Sequence, residues 1–277
     1  MNIKHFFKKT LLIFFALTLF ISGCGSANNG NSTLSTLGTV PIPTTQSSST
    51  TQITSVTTQS VPSVPRKQVA FTFDDGPHNV HTKAIVNELK KYNAHATFFV
   101  VGNRVDGTAY RGGATMLYAI QCGNEIGIHG YTHNVHYNTC TTEEYLFEIS
   151  STAAAIKNYS LDYETKLMRP IGGSITAERV ESSEYAIIIW DVDSEDWKHK
   201  YTSNDTIEER EAKVNAIVEN VMAEIQDGSI VLMHDIYESS YDAFVVLIER
   251  LYAEGYEIVT VSELLDNPQP GKKYSHK

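Results

Sequence analysis

Between Lys67 and about Leu265, short apolar runs alternate with longer stretches of helical period. The runs at 68–73, 96–101, 125–128, 166–168, 186–190, 229–233 and 257–261 are too short for helices and are bounded by turn residues, so they predict seven strands. The clearest helix between them is 206–226. There Thr206 and Glu209 form a capping-box pair, and Val214, Ile217, Val218, Val221, Met222 and Ile225 make one apolar face that ends at Asp227-Gly228. Thr141 with Glu144 opens another helix in the same way. Strand and helix alternating seven times predicts parallel pairing through right-handed crossovers, hence an α/β fold that is either a (β/α) barrel or a doubly wound sheet. This pattern fills 67–266, the size of one domain, and leaves 267–277 as a polar tail.

The pattern is absent before residue 67. Lys4, Lys8 and Lys9 precede an apolar run at 11–21, too short for a bilayer core of about 30 Å, which takes about 20 residues. Residues 1–23 therefore read as an export signal. The run closes on Phe20-Ile21-Ser22-Gly23-Cys24, which resembles the lipobox of bacterial lipoproteins. That resemblance implies that Cys24 becomes the lipidated first residue of the mature chain; the alternative is an ordinary secretory signal. Residues 24–66 read as a linker, because Ser, Thr, Asn, Gln, Gly and Pro dominate and no charge occurs from Gly25 to Pro65. Such a linker spans about 35 Å as a flexible coil and about 130 Å if fully extended. The expected place is the outer face of the cell membrane, held by lipid.

Charge and cysteine count narrow the classes further. Net charge is −10, and losing the three lysines of the first 23 residues makes it −13, so nucleic acid is not an expected partner. A 42% hydrophobic content supplies a core. Three cysteines cannot form a disulfide scaffold. With Cys24 set aside, Cys122 and Cys140 bracket His129 and His133, either as a disulfide or as two free thiols.

Five of the seven strand ends carry ionisable groups. Asp74 and Asp75 follow the first, His129 the third, Arg169 the fourth, Asp191 and Asp193 the fifth, and His234 the sixth. Taken singly each has a plain explanation: Asp74-Asp75-Gly76-Pro77 as a turn, His129 and His133 as surface residues, Arg169 as the partner of any acid, His234-Asp235 as a helix cap. In a barrel of parallel strands, however, these ends share one rim, where distant residues converge. His78, His81 and His136 read as exposed loop histidines.

Over 67–265 the motifs resemble the polysaccharide deacetylases with the NodB-homology domain, carbohydrate esterase family 4. Thr72-Phe73-Asp74-Asp75-Gly76-Pro77, followed by Thr82 and by Ala96-Thr97-Phe98-Phe99, corresponds to the first motif. His129-Gly130-Tyr131-Thr132-His133, Arg169-Pro170-Ile171-Gly172-Gly173, Asp193-Ser194-Glu195-Asp196-Trp197 and Leu232-Met233-His234 correspond to the next four. The resemblance implies a distorted (β/α) barrel. Gly130 departs from the pattern by lacking a hydroxyl, and Ile171-Gly172 depart from it by lacking a Pro-Tyr pair that would wall the sugar.

With that resemblance, Asp75, His129 and His133 are the expected ligands of one divalent metal, leaving open positions as a catalytic site requires. Zinc fits best, with cobalt or another divalent ion as the alternative. Asp74 is the expected base, kept ionised by Arg169. His234 is the expected acid, kept protonated by Asp196. Leu232 and Trp197 would wall a pocket for the acetyl methyl, the Gly172 N–H would meet an oxyanion, and Tyr131 would line the sugar groove. The expected reaction is removal of N-acetyl groups from an envelope polysaccharide, first of all N-acetylglucosamine of peptidoglycan. Chitin oligomers and acetyl esters on xylan are the close alternatives. A carbohydrate-binding lipoprotein without turnover is the alternative of another class, and no protein partner is implied.

Overall fold

The computed structural model describes residues 66–107 and 112–277. The export signal, Cys24 and the linker up to residue 65 lie outside the described residues. The strands are β1 (Lys67–Asp74), β2 (Thr97–Val100), β3 (Glu125–Ile128), β4 (Leu167–Met168), β5 (Ala186–Ile188), β6 (Val192–Asp193), β7 (Ile230–His234), β8 (Tyr256–Ile258) and β9 (Lys273–Tyr274). The helices are α1 (His81–Lys91), α2 (Gly102–Val105), α3 (Gly112–Gln121), α4 (Thr142–Tyr159), α5 (Ala177–Glu181), α6 (Ile207–Glu224), α7 (Glu238–Ala253) and α8 (Val261–Leu264).

The strands pair in parallel in the order β6-β7-β1-β2-β3-β4-β5-β9, with β8 on the lower part of β1. This is the distorted barrel. Side-chain alternation along β1 shows how it is filled. Val69, Phe71 and Phe73 face the helices, where Phe71 and Phe73 each meet Phe244 of α7 at 5.2 Å. Ala70 points the other way, into a smaller core with Phe99, Leu167, Ala186, Ile188 and Ile230. Each large apolar side chain buried in this way stabilises the fold by about 1.5–3 kcal/mol. On that inner face Ala70 is followed by Thr72 and Asp74, so the core gives way to polar groups towards the C-terminal end of the strand.

Both capping boxes form, Thr141 with Glu144 on α4 and Thr206 with Glu209 on α6. The apolar face expected on α6 is buried through Ile217, Val218 and Val221. Two strands exceed the seven expected, β6 and β9, each of two residues and too short to show a period. The residues after 266, read as a polar tail, belong to the fold: β9 pairs with β5, and the Lys277 N–H donates to the Gly228 carbonyl at 3.1 Å. Main-chain pairing of this kind needs no apolar signal, which explains why the sequence does not announce it. Cys122 and Cys140 are free thiols, and Cys140 Sγ lies 3.2 Å from a guanidinium nitrogen of Arg179. No helix among the described residues is long and apolar enough to cross a membrane.

Candidate active site

The register of β1 and β7 sets Thr72 beside Leu232 and Asp74 beside His234. The backbone turns sharply just beyond. Asp75 has φ 74° and His133 φ 61°, left-handed values that cost a non-glycine residue about 1–3 kcal/mol and persist only where surroundings impose them. Both are ligand candidates.

One ligand atom each from Asp75, His129 and His133 lies within 4.8 Å of the other two. The Nδ1 of buried His129 is 2.9 Å from the Arg169 carbonyl, which can only accept, so Nδ1 carries the proton and Nε2 offers its lone pair to the site. Burial lowers the His129 pKa despite the charges of Asp74 and Asp75, favouring the neutral ring that a metal needs. His133 Nε2 lies 2.9 Å from Asp75 Oδ1, yet that buried oxygen has no aligned hydrogen-bond donor. Burial pushes the Asp75 carboxyl up, but the His133 contact and the charges of His129, His133 and His234 outweigh it and hold the group well below the usual carboxylate range. An ionised, under-satisfied carboxylate facing a neutral imidazole lone pair is a donor set that a divalent cation completes.

Two ion pairs flank these ligands. Arg169, fully buried, donates from Nη1 to Asp74 Oδ1 at 2.9 Å and to the Thr72 hydroxyl at 2.7 Å, while Nε and Nη2 donate to the carbonyls of Ile188 and Ile189 at 3.1 Å. Its guanidinium also covers the Phe99 ring at 4.3 Å. Across the site, His234 Nδ1 contacts Asp196 Oδ1 at 2.7 Å. Burial opposes the charged imidazole, but this bond and the charges of Asp196, Asp74 and Asp75 outweigh it and raise the His234 pKa to about 9.

The remaining expected residues fall into place unevenly. Leu232 is nearly buried on the inner face of β7, and Trp197, next to Asp196, is 47% exposed. Gly172 follows β4 at φ 63°, with nothing within 4 Å of the position a Cβ would take, so no wall stands there. Tyr131 donates to Asp106 Oδ2 at 3.1 Å and packs edge-on against Phe147 of α4. Asp191 does not join the site: its carboxylate accepts from the Ser229 hydroxyl and the Ile230 N–H. Asp193 accepts from the Glu195 N–H at 2.9 Å, a local turn. His78 and His81 are half-buried and stacked at 4.5 Å, not exposed as expected, whereas His136 is exposed.

Ser240 and Glu148 carried no expected role, and Asp235 was expected only as part of a possible helix cap. Ser240 of α7 donates to Asp196 Oδ2 at 2.5 Å, and the His234 N–H donates to the same oxygen at 2.7 Å. Buried Asp235 accepts from the Thr82 hydroxyl, and burial raises its carboxyl to about 7. It presses on Gly76, where a Cβ would sit 2.2 Å from Asp235 Oδ2, so only glycine fits. Glu148 of α4, 3% exposed, accepts from the N–H groups of Tyr131 and Thr132. A Glu at a helical core position was the only available signal for it.

Comparison with known proteins places this geometry. The family profile described as polysaccharide deacetylase matches residues 62–186. The peptidoglycan-N-acetylmuramic acid deacetylase PdaC of Bacillus subtilis is 37% identical over 199 residues, 72% of this chain and 39% of that protein. A peptidoglycan-N-acetylglucosamine deacetylase of Bacillus cereus is 30% identical over 216 residues, 72% of this chain and 88% of that protein. The solved family 4 acetyl xylan esterase from Clostridium thermocellum, in complex with a cobalt ion, superposes with a TM-score of 0.65 at 27% identity, covering 76% of this chain and 98% of that one. The chain thus spans about two fifths of PdaC but nearly all of the smaller relative. Shared sequence over the whole folded unit, together with the same barrel, makes this chain a member of the polysaccharide deacetylase family.

Proposed function

We propose that this chain hydrolyses N-acetyl groups on an envelope polysaccharide, with N-acetylglucosamine of peptidoglycan as the first candidate. The observation that carries the reading is the set of three metal donors within 4.8 Å, placed between a buried Asp74–Arg169 pair and a His234–Asp196 pair. The Bacillus relatives, both peptidoglycan deacetylases by name, support peptidoglycan, and the Clostridium acetyl xylan esterase keeps acetylated xylan as the second reading.

Asp75, His129 and His133 would hold the ion, and zinc suits their mixed imidazole and carboxylate donors. A divalent ion there supplies polarisation of the acetamide carbonyl and acidification of water. Asp74 takes the proton from the attacking water, and Arg169 holds and aims its carboxyl group. As water oxygen bonds to the carbonyl carbon, negative charge develops on the carbonyl oxygen, which the Gly172 N–H would meet. His234 gives its proton to the leaving nitrogen, the C–N bond breaks, and acetate and a sugar amine depart. Asp196 holds the imidazole in orientation through Nδ1, leaving Nε2 to transfer the proton. Leu232 and Trp197 would supply the apolar side for the methyl group.

Acetate release by the purified protein from peptidoglycan, chitin oligomers and acetylxylan separates the substrates. Fastest release from peptidoglycan is expected; preference for acetylxylan would replace the first reading with the second, and no release from any would leave a binding protein.

The proposed location is the outer face of the cell membrane, through lipid on Cys24. The protein should then fractionate with membranes, and Cys24→Ala should leave it soluble or unprocessed. An unmodified mature N-terminus downstream of Cys24 would identify an ordinary secretory signal instead.

A further inference from the structure

The ligand loop that carries His133 is fastened differently from the ligand His129. His129 sits at the end of β3, where its N–H donates to the Val100 carbonyl at 2.9 Å and its Nδ1 to the Arg169 carbonyl. His133 lies four residues further on, half-exposed, in the left-handed region at φ 61°. The sheet does not reach it. The intervening carbonyls of Gly130 and Tyr131 accept from the N–H groups of Gly102 and Asn103 on α2, at 2.9 and 3.0 Å. The N–H groups of Tyr131 and Thr132 point the other way, to a single carboxylate. Glu148 Oε2 accepts from Tyr131 N–H at 2.5 Å and Thr132 N–H at 2.8 Å, and Oε1 accepts from the Thr132 hydroxyl at 2.5 Å.

We infer that Glu148 is a positioning residue for the metal centre, holding His133 in its ligating conformation through the backbone of Tyr131 and Thr132. A buried carboxylate is costly unless donors satisfy it, and here three donors do so, all within the three residues that precede His133. Helix α4 is in turn fixed by its capping box and its own packing, so the loop hangs from a rigid element. Gly130 is the complement of this arrangement. At φ 85°, a Cβ there would fall 2.9 Å from Glu148 Oε2 and 2.8 Å from the Tyr137 hydroxyl oxygen, so the bare glycine leaves the room that the carboxylate occupies. The missing hydroxyl at position 130 is thereby offset by a side chain 18 residues further along the chain.

The inference rests on Asp75, His129 and His133 being the ligands, and zinc affinity tests both without any substrate. Zinc is titrated into the metal-free full-length protein against a chromophoric chelator, and melting curves of the metal-free forms are recorded beside it. Glu148→Gln preserves size but removes the charge, so the two N–H groups lose their charge-assisted acceptor and the Thr132 hydroxyl meets an amide donor in place of a carboxylate oxygen. Zinc binding should weaken ten- to hundredfold, the usual size of an outer-sphere effect, with the protein still folded. Thr132→Val removes the hydroxyl arm alone and should weaken binding by less, in the same direction. Folded Glu148→Gln protein with the affinity of the parent would overturn the inference, as would unchanged affinity in Thr132→Val should the first variant fail to fold. Absence of zinc binding by the parent protein would instead overturn the ligand assignment itself.

Discussion

Asp74→Asn should retain zinc and lose acetate release by about 10²–10⁴-fold, the usual size of a general acid–base contribution. The ion should stay because Asp75, His129 and His133 remain. The proton acceptor goes, since an amide cannot take a proton from water at neutral pH. A second effect accompanies the first. Asp74 and Arg169 are a buried pair at 2.9 Å, and removing one charge from such a pair costs about 3–5 kcal/mol because the other is left uncompensated. Three further acceptors on the Arg169 guanidinium, from Thr72, Ile188 and Ile189, should keep the cost near the lower end. Zinc content, melting temperature and rate measured on one sample separate the two effects. A folded, zinc-loaded Asp74→Asn enzyme with the parental rate would show that the base lies elsewhere.

His234→Ala should produce a defect that depends on the leaving group. An amine leaves an acetamide only with a proton, whereas the phenolate of an activated aryl acetate leaves unaided, so the loss should be severe for the first and mild for the second. Equal losses on both would make His234 an orienting residue or an oxyanion partner. The pH profile carries the same assignment. With its pKa raised to about 9, His234 is the protonated acid below that value, so the rate should fall as pH rises through about 9. Asp196→Asn removes the partner that holds the proton, and the alkaline limb should move down towards the ordinary imidazole range.

Much of this site is legible in the sequence because parallel strands deliver their C-terminal residues to one rim. Asp74, His129 and His234 could be placed there from strand ends alone, and the motifs supplied the identity of their partners. The two capping boxes were equally readable, since a cap is a local pattern. What resisted reading was contact without period. β6 and β9 pair through two residues each, and the chain beyond residue 266 is held by main-chain bonds that any side chain permits. Asp191 shows the converse. The run expected as one strand over 186–190 stops at Ile188, and Asp191 instead leads into β6 beside the N-terminal start of β7, where it accepts from the Ser229 hydroxyl and the Ile230 N–H, because an apolar run does not show where one strand ends and the next begins. Glu148 and Ser240 lie on helices, and only the packing of α4 and α7 against the rim brings them to it.

The most direct test of the account removes the metal and restores it. The purified protein is stripped with chelator, and acetate release from peptidoglycan is followed while zinc, and separately cobalt, is added back. Activity should vanish on stripping and return as one ion per chain is bound, and His129→Ala should neither bind the ion nor recover. Full acetate release by metal-free protein would contradict the assignment of Asp75, His129 and His133 and the mechanism built on them.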